Sequence, residues 1–231
     1  MKHNFKKGLL FLILLSLQFN LFSQNSFIEQ KSKELVNSQN ADFWSGRMFY
    51  FPMSTIKGSP FLDSEFEKSD FYYNGKYYGN VIFHFDIVNN EFIVKSENGN
   101  WIVLQSERID SVKVGKSAFK YFENINKLSV KKKAKLYEVF ETDKASLIID
   151  HNKELEENII NNSLEREYKY NSNCYIYKDG KVVSVSSAKG VINLFSEKRK
   201  ELKAYYKDND KFKNLSSAQA IKAMVQYYSE L

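Results

Sequence analysis

The stretch from Phe71 to Val103 reads FYYNGKYYGNVIFHFDIVNNEFIVKSENGNWIV, and it decides the fold. Runs of aromatic and β-branched residues, which are typical of strands, are separated by the dipeptides Asn74-Gly75, Asn89-Asn90 and Asn98-Gly99. Asn-Gly suits the two-residue turn of a hairpin, because both central residues of that turn need a positive φ. The stretch therefore predicts a series of antiparallel hairpins.

The same pattern extends on both sides of this stretch. Aromatic and β-branched residues dominate from Arg47 to about Val185, and a fourth turn signal, Asp179-Gly180, separates NCYIYK from KVVSV. Further strands are predicted at Arg108–Val114, Ala118–Glu123, Ala134–Glu141 and Ser146–Asp150. We therefore expect a mainly antiparallel β-sheet built of hairpins.

A polar stretch interrupts the strand pattern from His151 to Glu167. Charged residues dominate it, and Leu155, Ile159 and Ile160 stand at helical spacing. We interpret this stretch as a loop that carries a short helix.

Helical patterns flank the strand region. Near the N-terminus, Ser26 and Glu29 fit a capping box and predict a short helix. A first C-terminal helix is predicted from one apolar face, formed by Val191, Phe195, Leu202 and Tyr206. A second capping box, Ser216 to Gln219, precedes an apolar stripe of Ile221, Met224, Val225 and Tyr228. Strands followed by helices predict an α+β fold, with two C-terminal amphipathic helices packed on the sheet.

The first 24 residues have the features of a signal peptide. Lys2, Lys6 and Lys7 precede the apolar run Gly8 to Leu17, which is short for a membrane span of about 20 residues. We expect export to the periplasm or the extracellular space, no membrane span after cleavage, and a single α+β domain over residues 25–231. An uncleaved N-terminal anchor is the alternative.

Charge gives little support for nucleic-acid binding. The chain has 34 Lys and Arg against 28 Asp and Glu, a net charge of +6. Removal of the three signal lysines leaves 31 against 28, or +3. Half of the basicity is therefore targeting information, and we expect no nucleic-acid partner.

Residues that commonly hold cofactors or act as nucleophiles are scarce. Cys174 is the single cysteine, and its alternation with Tyr175 and Tyr177 favours a buried hydrophobe over a reactive thiol. His84 and His151 are the histidines beyond the signal peptide. The sequence has no HExxH, CxxC, GxSxG, GxGxxG or GxxxxGK[ST] motif, so we expect no cofactor and no metal.

One pair of residues fits general-base chemistry. In Ile82-Phe83-His84-Phe85-Asp86, strand alternation places His84 and Asp86 on one face. A histidine oriented by a carboxylate predicts a hydrolytic site. A half-exposed polar sheet face is the alternative interpretation.

Two further features suggest binding surfaces. The basic cluster Lys131, Lys132, Lys133 and Lys135 could contact an anionic envelope polymer or membrane surface, or could be a solvated turn. The aromatics of the hairpins could bind sugars, or could form the core.

A resemblance accompanies these patterns. The segments Leu21–Gln24, Gly58–Phe61 and Tyr175–Val183, together with the Lys/Glu-rich helix that ends in Tyr205-Tyr206, resemble uncharacterised small exported proteins of Bacteroidota. The resemblance implies export and no particular activity. Our first hypothesis is a non-catalytic module that binds an envelope protein or another envelope component. A hydrolase at His84 and Asp86 and a carbohydrate-binding module are the alternatives.

Overall fold

The computed structural model describes residues 42–51, 55–63, 67–122 and 135–231. The chain divides into two compact units, Met1–Ser45 and Gly46–Leu231. In the described part of the first unit, the Ser45 hydroxyl donates to the Asp42 carbonyl over 2.7 Å. The predicted signal peptide, the predicted N-terminal helix and Lys131, Lys132 and Lys133 lie outside the described residues.

The second unit is dominated by one antiparallel sheet, which confirms the predicted α+β class. Eleven strands are found within the described ranges, and neighbours pair in the order β1-β5-β4-β3-β2-β6-β7-β8-β9-β10-β11. Their bounds are β1 Arg47–Met48, β2 Glu67–Tyr73, β3 Lys76–Asp86, β4 Glu91–Lys95, β5 Trp101–Val103, β6 Ile109–Val114, β7 Ser117–Tyr121, β8 Leu136–Glu141, β9 Ser146–Ile160, β10 Ser163–Lys178 and β11 Lys181–Val185.

All four turn signals lie between antiparallel strands, and two of them have the predicted two-residue geometry. Asn74 (φ 52°) and Gly75 (φ 72°) join β2 to β3, and Asp179 (φ 50°) and Gly180 (φ 74°) join β10 to β11. Both positions of each turn have positive φ, the geometry that continues the twist of paired strands. The β3–β4 and β4–β5 pairs are antiparallel as well.

The prediction of a loop with a short helix from His151 to Glu167 is wrong. These residues belong to β9 and β10, which pair continuously from Ser163↔Ile160 to Tyr177↔Ser146. The two strands are joined by Asn161 (φ 51°) and Asn162 (φ 62°). A spacing of four residues, as between Leu155 and Ile159, fits a strand face as well as a helix face, so the spacing did not discriminate.

Three C-terminal helices replace the two that were predicted. They are α1 Ala188–Leu194, α2 Arg199–Asp208 and α3 Ser217–Glu230. The first predicted helix is broken because Phe195 leaves helical geometry (φ −96°, ψ 61°) and a 3₁₀ turn follows it. The predicted apolar face is nevertheless largely correct, since Val191, Phe195 and Leu202 are fully buried. The capping box at Ser216 and Gln219 is present.

The helices pack on one face of the sheet. Phe140, Leu147, Ile149, Cys174 and Ile176 meet the apolar sides of α1 and α3 in a common core. Farther along the same face, Phe85 stacks on Phe92 (4.3 Å between ring centroids) and lies 4.8 Å from Phe119. None of the described helices has both the length and the apolar character that crossing a membrane requires.

The segment before β2 connects distant strands by main-chain hydrogen bonds. Leu62 donates to Phe85 of β3, and Lys57 donates to Arg166 of β10 and accepts from Tyr168. The chain between Lys57 and Leu62 therefore lies against both β3 and the outer half of β10.

Candidate ligand-binding site

A cavity of about 500 Å³ lies between the helix-facing side of the sheet and the first turns of α3. Strand register creates it, because Phe119 of β7 pairs with Glu138 of β8, which pairs with Ile149 of β9. Paired residues of adjacent strands point to the same face, so these side chains form one row. Phe83 and Phe85 extend the row as an aromatic wall.

Glu138 is the centre of a polar network in this cavity. Its Oε2 lies 2.8 Å from His151 Nε2, and its Oε1 lies 2.7 Å from Lys222 Nζ of α3. Lys222 Nζ also donates to Ser117 Oγ over 2.7 Å. Burial alone would raise the pKa of Glu138, but hydrogen bonds from His151, Lys222 and Ser117 lower it to about 2. The carboxylate is therefore ionised and fully paired.

His151 is held between two partners. Its Nδ1 lies 2.7 Å from the hydroxyl of Tyr170, whose pKa is raised mainly by burial. An ionised Glu138 can only accept, so His151 Nε2 must carry a proton. The protonated Tyr170 hydroxyl can then donate to Nδ1. These two contacts, whose directions are assigned from the network, fix the orientation of the His151 ring.

The cavity wall also contains ionisable groups that do not belong to the Glu138 network. Lys153 Nζ donates to the carbonyls of Ser59 (3.0 Å) and Phe61, and burial lowers the pKa of Lys153. The pKa of Glu67 is raised by burial and by repulsion from the carboxylates of Asp63 and Glu138. The cavity thus combines an aromatic wall, a satisfied polar network and further carboxyl groups.

The nucleophiles of this face are poorly suited to catalysis. Ser117 is only 4% exposed, and the amine beside it is an ammonium held by Glu138. An ammonium cannot accept the proton of a serine. Cys174 is buried, as its alternation predicted, and burial raises the pKa of its thiol to about 11. Within the described ranges, no group of three or more His, Cys, Asp or Glu side chains could hold a metal ion.

The two residues of the predicted hydrolytic site have separate contacts. The Asp86 carboxylate accepts from the backbone of Val88 (3.0 Å) and Asn89 (2.9 Å), so it caps the turn after β3. The His84 ring stacks on Phe61 at 4.5 Å, and burial lowers its pKa. His84 contributes to the lining of the cavity. A hydrolytic site at His84 and Asp86 stays a prediction.

Of the basic cluster, the structure describes Lys135 alone. Its Nζ binds the Asp150 carboxylate and donates to the His151 carbonyl over 2.8 Å. Lys135 therefore stabilises the junction of β8 and β9. The contact of the cluster with an anionic polymer stays a prediction.

The hairpin aromatics divide between core and surface. The larger group is buried and consists of Phe71, Tyr73, Tyr78, Phe83, Phe85 and Phe92. Tyr72 and Tyr77 are 45% and 58% exposed, and their rings are tilted by 58° at 5.4 Å. A tilted pair offers no flat surface for a sugar ring, so the carbohydrate-binding alternative gains no support from these two.

Sequence reasoning missed the members of the network. Glu138, Tyr170 and Lys222 are separated by tens of residues, and no local pattern connects them. His151 fell in the stretch interpreted as a loop. The signal that could have found it is alternation, because His151, Lys153 and Leu155 continue the face of Leu147 and Ile149 with a period of two.

Comparison with known proteins identifies no relative. No family model matches the chain, and no curated protein or solved structure matches it either. The resemblance to exported proteins of Bacteroidota stays a prediction.

Proposed function

We propose that the chain is an exported, non-catalytic binding module, and that a small component of the cell envelope binds in the cavity beneath α3. The observation that carries the proposal is the composition of this cavity. An aromatic wall of Phe83, Phe85 and Phe119 adjoins a polar network centred on Glu138. Small-molecule sites are typically largely apolar concavities of roughly 300–1,000 Å³ with a few fixed polar groups.

The pairing within the network supports binding rather than catalysis. A general base must be free to accept a proton, and a nucleophile must be reachable by substrate. Lys222 and Glu138 neutralise each other, and Ser117 is buried beside them. Groups arranged in this way orient a ligand and stay chemically unchanged.

Export is supported by the first 24 residues and by the resemblance to exported proteins. Expression of the chain with and without residues 1–24, followed by cell fractionation, tests it. We expect the complete chain outside the cytoplasm, with a new N-terminus after Ser23 or Gln24, and the shortened chain inside. Recovery of the complete chain in the cytoplasm at its full mass would contradict export.

The binding site itself is tested with Nile red, a neutral dye whose fluorescence rises in apolar surroundings. Val114 lines the cavity at the end of β6, so Val114→Phe should fill part of it. Val183 is an exposed valine on β11, and Val183→Phe is the matched control. Thermal unfolding of each variant checks that the fold is retained.

We expect Val114→Phe to raise the dissociation constant of the dye by about tenfold or more, because the added ring occupies part of the cavity. Val183→Phe should leave the dissociation constant unchanged. Equal binding by both variants, or no binding by the parent chain, would overturn the proposal that this cavity is the ligand site.

A further inference from the structure

We infer that the ligand of this cavity is an organic cation with an apolar body, its charged group beside Glu67 and its apolar part against the phenylalanine wall. The inference rests on the proposed function, since it takes the cavity as the ligand site. It adds the chemical class of the ligand.

The first argument is that the lysines of the cavity are already engaged. Lys222 is paired with Glu138 and bonded to Ser117, and Lys153 donates to two backbone carbonyls. An anionic ligand would have to draw one of these ammonium groups away from its partners. Leaving a buried polar group unpaired costs free energy, so the lysines are poor anchors for an anion.

The second argument is that the carboxyl group of Glu67 has no cationic partner. Glu138 has His151 and Lys222 as partners. Glu67 and Asp63 also line the cavity. Asp63 is attracted electrostatically to Lys153, whereas the carboxyl group of Glu67 has no hydrogen bond or ion pair to any residue in the described part of the chain. Glu67 therefore offers a carboxyl group with which the charged group of a cationic ligand can pair.

The third argument is the position of Glu67 relative to the aromatic wall. Glu67 of β2 pairs directly with Phe83 of β3, so the carboxyl group and the ring project side by side from one sheet face. A cation beside Glu67 therefore also lies close to an aromatic ring, and aromatic rings attract cations. The apolar body of the ligand extends toward Phe85 and Phe119.

The pKa of Glu67 gives a further expectation for the binding of a cation. Burial and the nearby carboxylates of Asp63 and Glu138 raise the pKa of Glu67. A bound cation favours the ionised form and lowers that pKa again. Binding of a cation should therefore release protons when the pH lies near the pKa of free Glu67.

The test compares three indole probes that share a ring system and differ in charge: tryptamine (cation), 3-ethylindole (neutral) and indole-3-propanoate (anion). Binding to the complete chain is measured by calorimetry or by NMR titration. The variants are Glu67→Gln and, as a matched control, Glu97→Gln. Glu97 is an exposed carboxylate in the turn between β4 and β5, so both variants lose one negative charge.

We expect tryptamine to bind more tightly than the other two probes, and Glu67→Gln to weaken it by about tenfold. Binding of 3-ethylindole should be unaffected by Glu67→Gln, and Glu97→Gln should change none of the three. Val114→Phe should weaken the binding of tryptamine, and this result would place the probe in the cavity.

Two results would overturn the inference. One is equal affinity for the three probes with no effect of Glu67→Gln; the Nile red result then decides separately whether the cavity remains a ligand site. The other is tighter binding of indole-3-propanoate than of tryptamine, which would assign the lysines as anchors. If the parent chain binds neither Nile red nor any indole probe, the proposed function fails with the inference.

Discussion

Lys222 Nζ lies 2.7 Å from Glu138 Oε1, and this ion pair joins the last helix to the middle of the sheet. Both side chains are largely buried, at 31% and 15% exposure. Glu138 also binds His151, so β8, β9 and α3 share one carboxylate. This carboxylate therefore supplements the apolar core in holding α3 over the cavity.

Replacement of Glu138 should destabilise the fold. Glu138→Gln removes the charge and leaves Lys222 as a partly buried ammonium without its counterion, for which we expect a loss of about 2 kcal/mol in the free energy of unfolding. Urea denaturation measures it. Glu141→Gln is the control, because Glu141 forms an exposed pair with Lys120 and should lose well under about 1 kcal/mol. Equal losses for both variants would mean that the network does not stabilise the fold.

The same carboxylate predicts how stability depends on pH. The pKa of Glu138 falls from its ordinary 4.5 to about 2 in the folded chain, so its stabilisation is complete above pH 4.5 and is lost as the pH falls toward 2. A difference of this size corresponds to about 3 kcal/mol. We expect the free energy of unfolding to fall over this range, and to fall less steeply in Glu138→Gln. Parallel curves for the two proteins would exclude Glu138 as the source.

The predictable parts of this molecule are those that short-range chemistry determines. Asn74-Gly75 and Asp179-Gly180 predict their hairpins because the φ requirement lies within the dipeptide itself. The capping box at Ser216 is equally local. The break after α1 is not, because Phe195 keeps the apolar spacing of a helix while its backbone leaves helical geometry.

The candidate site was beyond local patterns for a related reason. Ser117, Glu138 and Lys222 meet only after strand register is set and α3 has packed on the sheet. Charged residues of this kind appear in the sequence as solvated surface. Their burial depends on partners that are distant in sequence, and a single sequence does not reveal those pairings.

Lys153 should hold the segment before β2 against the sheet. Its Nζ donates to the carbonyls of Ser59 and Phe61, next to the hydrogen bond from Leu62 N to Phe85 O. Lys153→Ala removes both anchors, so we expect the Leu62 amide to exchange with solvent about tenfold faster. Hydrogen exchange followed by NMR measures this rate.

Lys169→Ala is the control for that experiment, because Lys169 lies on β10 and forms an exposed pair with Glu167. It should leave the Leu62 amide unchanged. If the Leu62 amide exchanges as slowly in Lys153→Ala as in the parent chain, the main-chain hydrogen bonds alone hold the segment.

The turn between β10 and β11 gives a prediction about the backbone alone. Gly180 has φ 74°, and a Cβ atom placed there would meet no atom within 4 Å beyond its two chain neighbours. Gly180→Ala should therefore cost only the strain of positive φ, about 1 kcal/mol in the free energy of unfolding. Gly180→Asn should cost less, because asparagine tolerates this region better than other residues with a Cβ atom. Urea denaturation of both variants measures the order, and a larger loss for Gly180→Asn than for Gly180→Ala would show that a steric contact, rather than φ, determines the residue at this turn.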